Sequence, residues 1–393
     1  MKKYITIICF LLIILFSCKN ENVINIELAK ENIFINPMSV SKDRINYSDW
    51  FEKIDYITLP TDSNFLIGSI DKLLVTDDYL FVMDQKISRS VSSIDRNGNV
   101  KLSLSKTGNG PGEYMLMTDI SFDSKQEEVL IHCKVKQKIL YYDLDGNFLR
   151  EQKIPYRVRK IYPISDNTFA FYCEYYDNPK LHKLSNSPNL LLANLAPPSI
   201  IEKTAYFEPP IDQSVVWNAN CQFSFWGDTL SIKPDHHNTI YHITKDGIYP
   251  VYTLDFGSYN IDSKYWNQVK QRGITLEKIN AYSNESGLCE SYRFLESSNY
   301  IYFVYKQKGK IYFVLYSKKT KTLRHTETFQ NDMDMVTLFR PIAVHDDKFY
   351  CLLESEDVYR MREHLKGAIP DEILDNVQEF GNPIIAIFTL KPF

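Results

Sequence analysis

The densest set of potential ligands in this 393-residue chain is Asp235-His236-His237. Neighbouring imidazoles can bind a metal or titrate near neutrality. Adjacent residues on a strand point to opposite faces, so the pair would chelate together only from a loop. The expectation is a solvated hairpin tip without metal. A second feature is a recurrence of cations. Lys86 and Arg89, then Lys134, Lys136 and Lys138, then Lys233, His236 and His237, then Lys306, Lys308 and Lys310 each fall between two apolar runs. Arg157, Arg159 and Lys160 form a further group between two such units. Gathered on one surface, these cations would attract an anionic ligand or the acidic patch of a partner. Arg89, Lys134, Lys136, Lys138, Arg157, Arg159, His236 and His237 are therefore the candidate binding residues. The competing reading is that lysines only solubilise tips and blunt sheet edges.

The third feature is glycine-rich. Gly108, Gly110 and Gly112 sit in Gly108-Asn109-Gly110-Pro111-Gly112-Glu113-Tyr114. A phosphate-cradling loop needs Gly-Lys-Ser/Thr opening a helix, and here Pro-Gly-Glu-Tyr follows instead. The glycines are expected to permit positive φ in a tight crossover, with Glu113 accepting backbone N–H groups. Asp255-Phe256-Gly257 matches a kinase magnesium motif by chance, since no His-Arg-Asp loop accompanies it. HExxH, EF-hand, GxSxG and CxxC patterns are absent from the sequence. No catalytic residue, metal or cofactor is expected on these grounds.

Composition narrows the class further. The net charge of −4 argues against a general nucleic-acid binder. Aromatics make up 14% of residues, mostly Tyr and Phe, which favour strands. Of the seven cysteines, Cys133, Cys173 and Cys351 lie inside apolar runs and read as small buried hydrophobes.

The elements that must position these residues are strands, in a repeat. Tyr79 to Asp84, Val91 to Asp95, the turn Arg96-Asn97-Gly98-Asn99 and Val100 to Leu104 follow in order. Glu128 to Cys133, Ile139 to Asp143, the turn Leu144-Asp145-Gly146-Asn147 and Phe148 onward repeat that order. Gly98 and Gly146 stand 48 residues apart. Asn-Gly and Asp-Gly between apolar runs are hairpin signals, and this period suits one four-stranded sheet per repeat. Further units begin near Thr168, Thr229, Tyr300 and Lys348, which brings the count to six. The lone early strand Phe51 to Leu59 is expected to complete the last sheet and close a ring. Asp262 to Ile279 and Glu356 to Phe380 carry helical apolar spacing and read as insertions on one face. The expected fold is thus all-β, a six-bladed β-propeller with short helical insertions.

Two resemblances add to this. Lys2 and Lys3, the apolar run Tyr4 to Phe16 and the junction Ser17-Cys18 describe a secretory signal too short to span a bilayer comfortably. They resemble a bacterial lipoprotein signal, with Phe16 larger than the residue usual there. The resemblance implies a leader over 1–17, a lipid on Cys18 and a tether over 18–44 before a propeller over 45–393. Lys19-Asn20-Glu21-Asn22 resembles the surface-export signal of Bacteroidota lipoproteins. Thr107 to Tyr114 resembles the link between blades in NHL-type propellers. Asn238-Thr239-Ile240-Tyr241, Asp255-Phe256-Gly257 and the tail Asn382 to Phe388 resemble the six-bladed β-propeller lipoproteins of Bacteroidota. That family implies an outer-membrane, lipid-anchored protein, displayed on the cell surface rather than the periplasmic face. It also implies a non-enzymatic module that binds a ligand or partner, such as an outer-membrane transporter or another envelope protein, and no nucleic acid. The alternative class is a lyase or hydrolase with its site at the mouth of the central channel.

Overall fold

Six apolar strand runs, each opening a unit of four, set the architecture. The computed structural model describes residues 29–40, 44–61, 65–182, 184, 188–206, 223–272 and 275–393. Cys18, expected as a lipidation site, and the expected leader lie outside them. Blade one is Lys72–Val75, Tyr79–Asp84, Ser90–Asp95 and Val100–Leu104, and blade two is Met117–Asp123, Glu128–Cys133, Lys138–Tyr142 and Phe148–Lys153. Blade three is Lys160–Ser165, Thr168–Tyr172, Leu190–Asn194 and Ile200–Ala205. Blade four is Ser224–Trp226, Thr229–Ile232, Thr239–Thr244 and Gly247–Asp255. Blade five is Glu290–Glu296, Tyr300–Gln307, Lys310–Ser317 and Leu323–Thr326. Blade six takes Ala343–His345, Lys348–Leu353 and Ile384–Leu390 from the end of the chain, and Phe51–Thr58 from its beginning. The expected closure by the early strand is present: Phe51 pairs with Leu390 and Thr58 with Ile384.

First strands lie innermost, against those of neighbouring blades, around the axis. The core sits between blades. Phe81, Ile120 and Ile131 pack blade one on blade two, for example, and Phe51, Tyr302, Phe349 and Phe388 pack blade five on blade six. Cys133, Cys173, Cys289 and Cys351 are buried free thiols, as apolar strand positions dictate. Burial pushes the Cys173 and Cys351 thiols up, which keeps them inert.

Part of the expected tether belongs to the fold. Glu31–Phe34 adds a parallel fifth strand to the outer edge of blade four, with Glu31 opposite Tyr252 and Phe34 opposite Asp255. Ile33 and Ile35 are buried there. Ile33 and Ile35 turn inward at every second position while Phe34 between them is exposed, and the outer edge of a blade offers the strand backbone partners.

Both helical insertions form. Ser263–Arg272 and Leu276–Ser286 lie in the crossover from blade four to five, and bury Tyr265, Val269 and Ile279 in a small core of their own. Thr275 caps the second helix by accepting from Lys278 N. Ser355–Met361 and Asp371–Asn376 lie between the second and third strands of blade six. No helix among the described residues is long and apolar enough to cross a membrane.

Candidate functional site at the channel mouth

The tips between second and third strands share one face with the crossovers between blades, and hydrogen bonds fix this in every blade. Asp84 accepts from Ser69 N at 3.0 Å, Lys134 N donates to Leu116 O at 3.0 Å, and Arg157 N donates to Asn178 Oδ1 at 2.6 Å. Asn238 meets Asn260 at 3.4 Å, Gln307 donates to Gly287 O at 2.9 Å, and Asn382 donates to Phe65 O at 2.8 Å. Both helical insertions are built on this face. The channel mouth that opens here has two unlike parts.

The first is an arc of buried ions over blades one to five. Lys72 opens the innermost strand of blade one, Asp119 follows a bulge in that of blade two, and Lys160 opens that of blade three. Lys72 Nζ donates to Asp119 Oδ1 at 2.8 Å and to Ile120 O at 2.7 Å. Lys160 Nζ stands 3.7 Å from the same carboxylate oxygen, and Ile161 N donates to the other at 2.9 Å. Asp119 is 0% exposed and Lys72 6%. Burial pulls the Lys72 ammonium below its ordinary value. For Asp119 burial pushes upward, but the charges of Lys72 and Lys160 outweigh it and hold the carboxyl low. His132, paired across from Asp119, shares a hydrogen bond with Thr118 Oγ1 at 2.7 Å, and burial pushes it down to about 4.

The arc continues on blades three to five. Arg159 Nε lies 3.5 Å from Glu174 Oε1. Burial raises the Glu174 and Asp235 carboxyls, against the opposing charges of Arg159 and Lys233 respectively. Lys233 Nζ is buried and donates to His237 O at 3.1 Å and Ser291 O at 3.0 Å. His236 Nδ1 contacts Glu290 Oε1 at 3.0 Å, and its ring packs edge-on against Trp266 of the helical insertion. Burial pushes Glu290 up, yet the His236 contact leaves it below its ordinary value.

The second part is a cleft of 220 Å³ over blades five, six and one, lined by Ile70, Asp71, Lys72, Lys86, Arg293 to Leu295, Pro341 and Ile342. Lys86 Nζ pairs with Asp71 Oδ1 at 2.6 Å. Arg293 occupies a bulge in the innermost strand of blade five, at φ 47, between Tyr292 and Phe294. Bulges re-aim side chains in this way. Its guanidinium is exposed and has no ion pair or hydrogen bond to any described residue, and the same holds for Arg340, which precedes the Pro341 wall. A neighbouring cleft of 240 Å³ shares Ile70 and is lined by Glu354, Glu356 and Glu379.

The residues singled out in the sequence fall unevenly on this face. Arg89 is exposed on the tip of blade one, at φ 52. Lys134 Nζ donates to Tyr176 OH at 3.0 Å and lies over its ring, while Lys136 Nζ donates to Asn109 O at 2.5 Å. Lys138 is not at the mouth: it opens the third strand of blade two, is buried, and pairs with Glu151 of the outer strand at 2.5 Å. Arg157 is exposed beside the tip of blade three and donates to Asp177 O at 3.3 Å. His236 and His237 are half-buried rather than solvated, and line a 160 Å³ pocket with Trp266, Glu290 and Ser291. Lys72, Asp119, Arg293 and Arg340 lie on innermost strands or crossovers, where no tip alignment reaches them, as does Lys160, which the sequence groups with Arg157 and Arg159; Glu174 lies on the tip of blade three. The legible signal for two of them is a lysine opening an apolar strand, Lys72-Leu73-Leu74-Val75 and Lys160-Ile161.

The glycine-rich crossover is structural in its contacts. Glu113 Oε2 accepts from Gly110 N at 2.7 Å, and the buried Tyr114 donates to Arg89 O at 2.9 Å. Tyr142 OH donates to Gly112 O. Only Gly112 needs a left-handed backbone, φ 71, and a Cβ there would also meet Phe148 at 2.7 Å. Gly108 and Gly110 are small for a different reason, because a Cβ at either would crowd the Glu113 carboxylate. On the opposite face Asp77, His345 and Asp346 bring three potential metal-ligand atoms within 4.8 Å of one another, at largely exposed positions.

Six four-stranded blades closed by the two ends of the chain define a β-propeller. Within that class the chain belongs to the DUF4934 family, a domain of unknown function, whose model matches residues 23–389. The crystal structure of a Bacteroides fragilis protein assigned as exported is similar, with a TM-score of 0.74 at 18% identity, covering 92% of this chain and 100% of that one. A member of the DUF4221 family from Bacteroides vulgatus is similar with a TM-score of 0.52 at 11% identity, covering 87% and 97%. No curated protein matches the sequence.

Proposed function

We propose that this chain is a lipid-anchored envelope protein whose propeller captures an anionic ligand, or the acidic patch of a partner, at the channel mouth without transforming it. The observation that carries the reading is the pair of uncompensated guanidinium groups, Arg293 and Arg340, beside an open cleft. Each buried ion of the arc already has a partner, whereas these two guanidinium groups are left to act on something outside the chain. The NHL-like link at 107–114, the leader ending at Ser17-Cys18 and the similarity to an exported Bacteroides protein support an envelope location. The outer membrane and its cell-surface side follow from the lipoprotein resemblance, as does an envelope partner such as an outer-membrane transporter. A second reading, a lyase or hydrolase at the same mouth, draws on Glu174 and Asp235, whose carboxyls burial holds toward their protonated forms. Turnover of a captured ligand would favour it.

The test has two arms. Cys18→Ala should move the protein out of the membrane fraction and abolish incorporation of labelled palmitate. An Arg293→Glu/Arg340→Glu double variant should lose salt-sensitive binding to a poly-glutamate probe that the wild type shows at low ionic strength. Fractionation unchanged by the first variant removes the anchor, and binding indifferent to the second removes the mouth as the site.

A further inference from the structure

We propose that the cleft over blades five, six and one is a site for a carboxylate joined to an apolar group. This rests on the reading of the channel mouth as an anion-binding site and specifies its ligand. The lining of the cleft is mixed: Asp71, Lys72, Lys86 and Arg293 are charged, and Ile70, Phe294, Leu295, Pro341 and Ile342 are apolar. A plain inorganic anion would leave the apolar lining idle, whereas an apolar compound would leave Arg293 unused.

Among the lining residues the charge count leaves one cation, which suits a monoanion; Arg340 lies outside that lining. Lys86 and Asp71 neutralise each other at 2.6 Å, and Lys72 is held by Asp119 at 2.8 Å. Arg293 is the one lining cation with no described partner. Its planar fork matches the two oxygens of a carboxylate. At 220 Å³ the cleft is smaller than the roughly 300–1,000 Å³ that hold drug-sized molecules. It suits a fragment-sized acid or the terminal residue of a longer chain. Both sources present the same chemistry, a carboxylate with one apolar substituent.

Isothermal titration with 3-phenylpropionate and with its neutral amide tests the assignment. The acid should bind the wild type about 10-fold or more better than the amide, as expected for a hydrogen-bonded charge pair. Arg293→Asn should erase that preference. Asn tolerates the left-handed backbone at this bulge, so the variant keeps the fold, which its thermal unfolding midpoint verifies. Arg293→Lys should keep only part of the preference, since the charge remains and the fork does not. Equal binding of acid and amide, or a preference that survives Arg293→Asn, overturns the proposal. If poly-glutamate still binds in a manner sensitive to Arg293→Glu/Arg340→Glu while 3-phenylpropionate and its amide do not differ, the mouth reading stands and the cleft assignment alone falls. A Phe-terminated peptide with a free carboxyl, compared with its amidated form, identifies the source. Tighter binding of the free peptide than of 3-phenylpropionate assigns a chain terminus, and the reverse order a small acid.

Discussion

The arc and the cleft stand side by side at one channel mouth and use charge in opposite ways. In the arc the buried ions are held by partners within the chain, as in Lys72, Asp119 and Lys160, so that little is left for a ligand. Arg293 in the cleft and Arg340, next in sequence to its Pro341, are exposed with no ion pair to any described residue, so that removing them is expected to cost the fold almost nothing. A crowd of convergent charged groups therefore does not by itself mark a binding site. The informative quantity is the charge left over after internal pairing.

The comparison breaks most visibly at Asp119. Asp119→Ala strands two buried ammonium groups, and should cost about 3–5 kcal/mol. Chemical denaturation would register this as a large fall in midpoint. Replacing all three charges, Lys72→Met/Asp119→Leu/Lys160→Met, should restore most of the loss, because well-packed apolar side chains avoid the desolvation penalty. A single variant as stable as wild type would mean that the arc is hydrated and not structurally coupled.

A smaller effect follows from His132. Its folded value of about 4 lies below the usual histidine range. Above pH 6.5 the imidazole is neutral in both states and contributes no pH dependence. As pH falls from about 6.5 toward 4 the unfolded chain takes up a proton that the folded chain refuses, so stability is lost across that window. Glu174 and Asp235, raised by burial, pull the other way, since the folded state protonates first. The difference between wild type and His132→Asn isolates the histidine, and should grow to roughly 1–3 kcal/mol by pH 4. A constant difference across the window would remove His132 from the account.

The smallest effect belongs to the cleft. Arg340→Ala should change stability by less than about 0.5 kcal/mol, as surface substitutions usually do. A loss of several degrees in the unfolding midpoint would show that Arg340 supports the fold, and would weaken the contrast.

The ring was legible in the sequence because its signals are local. Asn97-Gly98 and Asp145-Gly146 mark equivalent turns, and the isolated run Phe51 to Leu59 invites closure of the last blade. The candidate site was legible only in part. Aligning the tips found His236 but also Lys138, which opens a strand and turns to Glu151, and Arg159 came from the crossover group. Arg293 escaped because its exposure depends on a bulge, and the alternation of Tyr292, Arg293 and Phe294 gives no sign of one. Asp119 escaped because its partners, Lys72 and Lys160, come from neighbouring blades far away in sequence.

The pairing of Phe51–Thr58 with Ile384–Leu390 joins strands far apart in sequence, so the ring closes only when both are in place. A chain that stops short of Ile384 has neither partner strand for Phe51–Thr58 nor cover for Lys348–Leu353. It presents two unsatisfied strand edges, the kind of surface that recruits other chains. Contacts of such long sequence separation form late. Loss of either strand is thus expected to open the ring itself and not merely to shorten one blade.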